Sequence, residues 1–271
     1  STQARGPGRH EAAYRIERMG AGSIALVGPP NCGKSSLLAA LTRAQPAIGD
    51  YPFTTQLPMP GMMPFEDVQI QIIDLPPVTP DYLDPWLPGL VRRSDGVFLV
   101  ANLASDDLLD DTEALLERLK AARIELVSRL PDAPDPRVAY RRAAFVLNKA
   151  DAEGAGERLS LFRELYPPEF YPSVVVSAHT GEGLELLRAE AWRLIDAVRV
   201  FGKPVGQKPD LEKPFVLPRG STVEDFAAAV HRDLPGKLKS ARVWGHSARF
   251  PGQTVERDHV LCDHDVVELH T

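Results

Sequence analysis

Nine residues constrain this chain more than any others: Gly28-Pro-Pro-Asn-Cys-Gly-Lys-Ser-Ser36, directly after the apolar run Ser23–Val27 and leading into the helical stretch Lys34–Arg43. The pattern G-x-x-x-x-G-K-[ST] carries meaning only between a strand and a helix, and both are in place. Glycines let backbone amides turn inward around a phosphate, and the helix N-terminus adds positive dipole. The fold expected from this feature is α/β, a P-loop domain with a mostly parallel sheet and helices on both faces. Lys34 is expected to reach the β- and γ-phosphates and the Ser35 hydroxyl to bind Mg²⁺. Pro30, Asn31, Cys32, Gly33 and Ser36 complete the candidate loop contacts.

The rest of the chain fits that frame. Short runs rich in Val and Ile alternate with longer helical stretches, as in a parallel sheet wrapped by helices. Strands are expected at Val68–Ile73, Gly96–Asn102, Ala143–Leu147 and Val174–Ser177, and helices in Asp106–Leu130 and Glu182–Val198. After Asp196 the texture changes. Residues 201–220 hold several prolines and glycines, and Thr222–Arg232 reads as a short helix capped by Ser221 or Thr222, with Glu224 placed for a capping box. Short strands are expected around Ala241–Trp244 and Val266–Leu269. A length of 271 residues accommodates two domains. The expected division is an N-terminal extension over 1–20, a nucleotide domain over 21–196 and a small α+β domain over 197–271.

Two further motifs define the chemistry. Asp74 ends the strand Val68–Ile73 and is a candidate Mg²⁺ group, usually through water. Asn148-Lys-Ala-Asp151 follows the strand Ala143–Leu147. A carboxylate at Asp151 accepts hydrogen bonds from both N1–H and the exocyclic amine of guanine, a pair that adenine does not offer. Asn148 can bond the base and tie the loop together, the Lys149 stem can lie over the ring, and the backbone at Ser177-Ala178 can reach guanine O6. The ligands expected are therefore GTP or GDP with Mg²⁺.

Together these motifs resemble the translation-factor-like GTPases, and within them the Obg-like group that includes the developmentally regulated GTP-binding (DRG) proteins. Gly49-Asp-Tyr-Pro-Phe-Thr-Thr55 resembles that group's switch I, which implies that Thr55, or else Thr54, closes on Mg²⁺ and the γ-phosphate. Arg219–Phe226, Ala241–Gly245 and Asp258–Leu261 resemble the TGS module of the same proteins, a β-grasp fold. The resemblance implies a slow GTP hydrolase acting as a regulatory switch on ribosomes or RNA, with Lys34, Ser35, Thr55 and Asn31 as its catalytic set. In related GTPases an Asn at the position of Asn31 helps hold K⁺, so either this residue holds that ion or it only shapes the loop.

Two residues depart from the pattern. The group reads Asp-x-x-Gly in switch II, and here Pro77 stands in place of the glycine. Proline has no N–H to donate to the γ-phosphate and fixes φ. Val78 stands where other GTPases place a water-orienting glutamine, a substitution common in the Obg-like group. A second reading follows, in which Pro77 has uncoupled hydrolysis and the chain is a binding module that holds GTP or GDP. A third, weaker one makes the TGS module a sensor of guanosine alarmones. The inserted helical hairpin that DRG proteins usually carry is not evident.

Composition bounds the partners. A net charge of −6 argues against coating nucleic acid by bulk electrostatics, and DNA is not expected. Arg232, Lys237, Lys239, Arg242 and Arg249 form a local basic cluster that would suit RNA, but acids balance them nearly one for one. The alternative is a solvated mixed-charge surface with Trp244 in the core. His259, His264 and His270 would bind a metal only if the fold brought them together. No run of about 18 apolar residues and no signal-peptide core is present, so a cytoplasmic chain without a membrane span is expected. Cys32 and Cys262 are expected to be reduced.

Overall fold

The computed structural model describes residues 16–42 and 57–271, which form two compact units. The first takes in described residues up to Phe65 together with Gln69–Ile195; the second takes in Glu66–Val68 and Asp196–Thr271.

In the first unit, β1 (Ser23–Val27), β2 (Met59–Phe65), β3 (Val68–Asp74), β4 (Gly96–Asn102), β5 (Ile124–Val127), β6 (Ala139–Asn148) and β7 (Ser173–Val175) make one sheet. Its order is β2-β3-β1-β4-β6-β5. β1 pairs in parallel with both β3 and β4, and β6 pairs in parallel with β4. The long β6 shares its outer edge between two partners, β5 along Ala139–Arg142 and β7 along Phe145–Leu147. All five residues of β1 are buried, as expected of a parallel strand covered on both faces. The helices are α1 (Lys34–Leu41), α2 (Leu87–Arg93), α3 (Leu108–Ala121), α4 (Ala155–Leu165) and α5 (Leu184–Ile195). One apolar cluster joins Val27, Leu99, Leu115, Phe145 and Phe162 from strands and helices alike.

Because β1, β4 and β6 run in parallel, their C-terminal ends gather the P-loop, Asn102 and Asn148 at one end of the sheet. Functional residues of open α/β sheets collect at that end.

The second unit is a five-stranded sheet, β8 (Ala197–Gly202), β9 (Phe215–Pro218), β10 (Ser240–Trp244), β11 (Gln253–Val255) and β12 (Asp265–His270), ordered β11-β10-β12-β8-β9. Only the β12–β8 pair is parallel. Helix α6 (Val223–Val230) closes the core through Val223, Phe226 and Ala227. Within this unit Arg199 is buried and bonds Asp263, Glu66 and Asp67. Burial opposes its charge, but the three carboxylates hold its pKa above the usual guanidinium value.

Several sequence expectations change. Helix α3 stops at Ala121, and Arg123 takes a positive φ of 58°. Ile124–Val127 then forms an edge strand, so the apolar spacing over Asp106–Leu130 spans two elements. The last helix of this unit ends at Ile195, and β8 starts two residues later. Thr222 is the N-cap of α6, and its box partner is Asp225 rather than Glu224: the one-residue shift of the cap shifts its partner too. Trp244 is half-buried rather than in the core, with the Lys203 ammonium 5.1 Å from its ring centroid. The three histidines do not converge: His259 bonds Ser247, His270 bonds Glu268, and His264 stacks on Phe201.

Candidate nucleotide site

The phosphate loop turns on two residues with left-handed backbone, Asn31 (φ 59°) and Gly33 (φ 91°). Gly33 is required for a second reason, since a Cβ there would stand 2.3 Å from Asn148 Nδ2. Lys34 is buried, and its ammonium donates to the carbonyls of Gly28 and Pro29, each at 3.4 Å. Cys32 lies buried beneath the loop as a free thiol, which burial pushes up in pKa. Pro30, Ser35 and Ser36 are exposed at the loop surface.

Ser35 Oγ donates to Asp74 Oδ2 at 2.7 Å. Burial raises the pKa of Asp74, against the hydrogen bond from Ser35 and the charge of Lys34. Its other oxygen, Oδ1, is buried without a hydrogen-bond partner. An orphaned carboxylate oxygen in a buried polar setting asks for a cation or a water. A serine hydroxyl and an aspartate of this kind are hard oxygen donors that suit Mg²⁺.

The base end is tied together by one side chain. Asn148 is 1% exposed; its Nδ2 donates to Cys32 O at 2.9 Å, and its Oδ1 accepts from Ala178 N at 3.1 Å. Lys149 has a positive φ of 66° and its ammonium reaches Asn31 O at 2.5 Å. Ser177 Oγ donates to Asp151 at 2.7 Å, and that hydrogen bond lowers the pKa of the exposed Asp151 carboxyl. A cavity of about 440 Å³ opens here, lined by Gly33, Ser36, Asn148, Lys149, Asp151 and Ala178, with Ala152 and His179. Sequence reasoning did not single out His179, which lies in a turn with no motif signal. Nor did it find Asn102, whose Nδ2 donates to Asn31 O at 3.3 Å. A polar residue closing the apolar run Gly96–Ala101 was the available clue.

Switch II is accounted for amide by amide. Leu75 N donates to Leu26 O, and Val78 N donates to Gly28 O at 3.0 Å. Pro76 and Pro77 have no N–H. From Leu75 to Val78, therefore, every backbone donor is either absent or already used. Val78 is 2% exposed and belongs to the core, so its side chain takes no part in the site. Thr54 and Thr55 lie outside the described residues.

Residues 23–129 match the family described as 50S ribosome-binding GTPases, and residues 198–271 match the TGS domain. An uncharacterized GTP-binding protein of Methanocaldococcus jannaschii is 27% identical over 323 residues, covering 98% of this chain and 82% of that protein. Developmentally-regulated G-protein 2 of Arabidopsis thaliana is 28% identical, covering 94% and 78%. Developmentally-regulated GTP-binding protein 1 of Xenopus laevis is 28% identical, covering 97% and 85%. The chain carries a GTPase domain and is similar over nearly its whole length to GTP-binding proteins of the DRG kind. Its GTPase domain is followed by a TGS domain, the order of the two matched segments. An alignment over 323 residues against a chain of 271 means that the archaeal relative carries residues with no counterpart here. No helix among the described residues is long and apolar enough to cross a membrane.

Proposed function

We propose that the chain binds GTP and GDP with Mg²⁺ at the site described above, and that it hydrolyses GTP slowly while acting as a cytosolic regulatory switch linked to the ribosome or to RNA. The observation that carries this reading is the side chain of Asn148, which joins the phosphate loop to the backbone of Ala178 on the lining of the cavity. A pre-joined site binds without first ordering its parts.

In this reading Asp151 takes the two guanine N–H donors, and the lowered pKa of its carboxyl keeps it an acceptor at neutral pH. Lys34 exchanges its two long carbonyl contacts for the β- and γ-phosphate oxygens. Ser35 and Asp74 hold Mg²⁺, which neutralises charge developing on the phosphates. The ribosome link rests on the family description of residues 23–129 and on the TGS domain.

The slow rate rests on switch II. A γ-phosphate normally gains an amide from this segment, worth about 1.5–3 kcal/mol for a charged acceptor. Here no amide between Leu75 and Val78 is free to give it. Water must then be oriented by a group other than residue 78, and charge at the β–γ bridge would be met by Lys34 and a Mg²⁺ held by Ser35 and Asp74, with Asn31 the residue that would hold a K⁺. The same observation favours a second reading, a guanine-nucleotide-binding module that does not turn over.

The test is GTP turnover by the purified chain with Mg²⁺, in KCl and in NaCl, against a Lys34→Ala control. Multiple turnovers stimulated by K⁺ support the hydrolase. Tight binding with no turnover above the control in either salt establishes the module instead.

A further inference from the structure

A second cavity, of about 420 Å³, lies at the other end of the first unit's sheet, where β1, β4 and β6 begin. Five arginines line it: Arg18, Arg92, Arg93, Arg141 and Arg142. Among the described lining residues the only carboxylate is Asp95, which takes a two-pronged hydrogen bond from Arg18 at 2.6 and 2.7 Å and also accepts from Ser23 N. Five guanidinium groups on one described lining make this a place dense in cations in a chain whose net charge is −6.

Two of the five have a local reason to be there. Arg92 and Arg93 close the last turn of α2, where cations suit the helix dipole. Arg141 reaches the same helix end from another element. It sits near the start of β6, half-buried, and its Nη atoms donate to the carbonyls of Tyr140 and Arg92. Its Nε is buried without a hydrogen-bond partner. Burial works against its protonated form, the charge of Asp95 favours it, and the neighbouring Arg92 charge again opposes it, leaving the pKa lowered. Gathering like charges at partly desolvated positions costs stability, and an anion in the cleft relieves that cost.

We infer that this arginine cleft is a binding site for the phosphodiester backbone of an RNA strand. Guanidinium forks match phosphate oxygens two at a time, and several in one cleft match phosphates at successive positions. Tyr140, also on the lining, is an aromatic side chain of the kind on which a base stacks. An acidic protein fits less well. Protein interfaces are built around an apolar centre, and Leu130 is the one large aliphatic side chain among the described residues of this lining. The cleft is distinct from the nucleotide site, which lies at the C-terminal ends of the same strands. It is also distinct from the basic cluster of the second unit, whose charges acids offset.

The test uses the full chain with excess GDP and Mg²⁺, which keeps competing polyphosphate away from the nucleotide site. Fluorescence anisotropy of a short labelled single-stranded RNA is recorded over a range of KCl concentrations. The expected result is binding that weakens steeply with salt. Arg93→Glu, at an exposed position, should weaken it roughly tenfold or more and lower the salt slope by about 0.7 for each phosphate no longer neutralised. Arg141→Gln should weaken it in the same direction, with the circular dichroism spectrum and GDP affinity unchanged; should that variant not fold, Arg93→Glu decides alone. Arg242→Glu in the second unit should leave binding as it was. The inference is overturned if RNA does not bind at low salt, if Arg93→Glu changes nothing, or if Arg242→Glu weakens binding as much. It is overturned equally if tripolyphosphate or oligoglutamate displaces the RNA at matched charge, which would make the cleft a site for a free phosphate compound or an acidic protein.

Discussion

The two ends of the nucleotide site are built on opposite plans. At the base end, hydrogen bonds cross between separate segments: Asn148 to Cys32 and Ala178, Lys149 to Asn31, Ser177 to Asp151. At the γ-phosphate end, the segment after Asp74 is bound to its own scaffold. Its amides go to Leu26 and Gly28, and its two prolines offer none. The first plan favours holding a guanine nucleotide. The second leaves little with which to tell GTP from GDP. A protein can keep one of these functions while losing grip on the other, because the groups responsible are different atoms on different strands.

The comparison can be broken most forcefully at Lys34. In Lys34→Ala, isothermal titration calorimetry should show affinity for GTP and GDP falling by at least about a hundredfold, since charge-assisted bonds to two phosphates disappear together. Unchanged affinity would remove the phosphate loop from the site. Next comes Asp151→Asn. Its preference should move from GTP toward XTP by roughly a hundredfold, measured by competition, because the asparagine amide donates where guanine also donates. If the variant keeps its preference for GTP, the base is read elsewhere.

Pro77→Gly sharpens the other side of the comparison. Restoring an amide should raise the ratio of GTP to GDP affinity by roughly tenfold, the lower end for one hydrogen bond to a charged oxygen. A ratio that stays flat would mean that the docking of Val78 on Gly28, rather than the proline, keeps the segment in place. The smallest effect belongs to the second unit. Burial pushes the Asp263 carboxyl up, but hydrogen bonds from Arg199 and its charge bring the pKa below the usual aspartate value. A carboxylate lowered in the folded state stabilises it above the unfolded pKa, and that contribution is lost as pH falls through the folded value. The melting temperature should therefore fall on acidification through the carboxylate range. Asp263→Asn should flatten that dependence and cost on the order of 1 kcal/mol at neutral pH.

What the sequence disclosed follows from how local each signal is. The phosphate loop and the Asn148–Asp151 tetrad are contiguous, and each lies where a strand ends, so residue order alone places them. The apolar strands β1 and β4 were readable because burial on both faces leaves no polar residue to interrupt them. Ile124–Val127 was not. Four residues with a glutamate among them look like the tail of the helix before, and only the pairing with Ala139–Arg142 makes them a strand. β6 likewise begins at Ala139 rather than Ala143, because Tyr140, Arg141 and Arg142 disguise its start. The substitution at Pro77 was visible in the sequence, but the capture of Val78 N by Gly28 O depends on a partner about fifty residues away along the chain.

The amides of Leu75 and Val78 are the two exchangeable backbone protons in the four residues after Asp74. A hydrogen–deuterium exchange experiment on this segment therefore has two reporters, and each is tied to a carbonyl at the end of β1 or in the loop beyond it. Their exchange rates measure the free energy of lifting the switch from its bed. Comparing those rates with GDP and with a non-hydrolysable GTP analogue would give the switching energy of the protein at single-residue resolution.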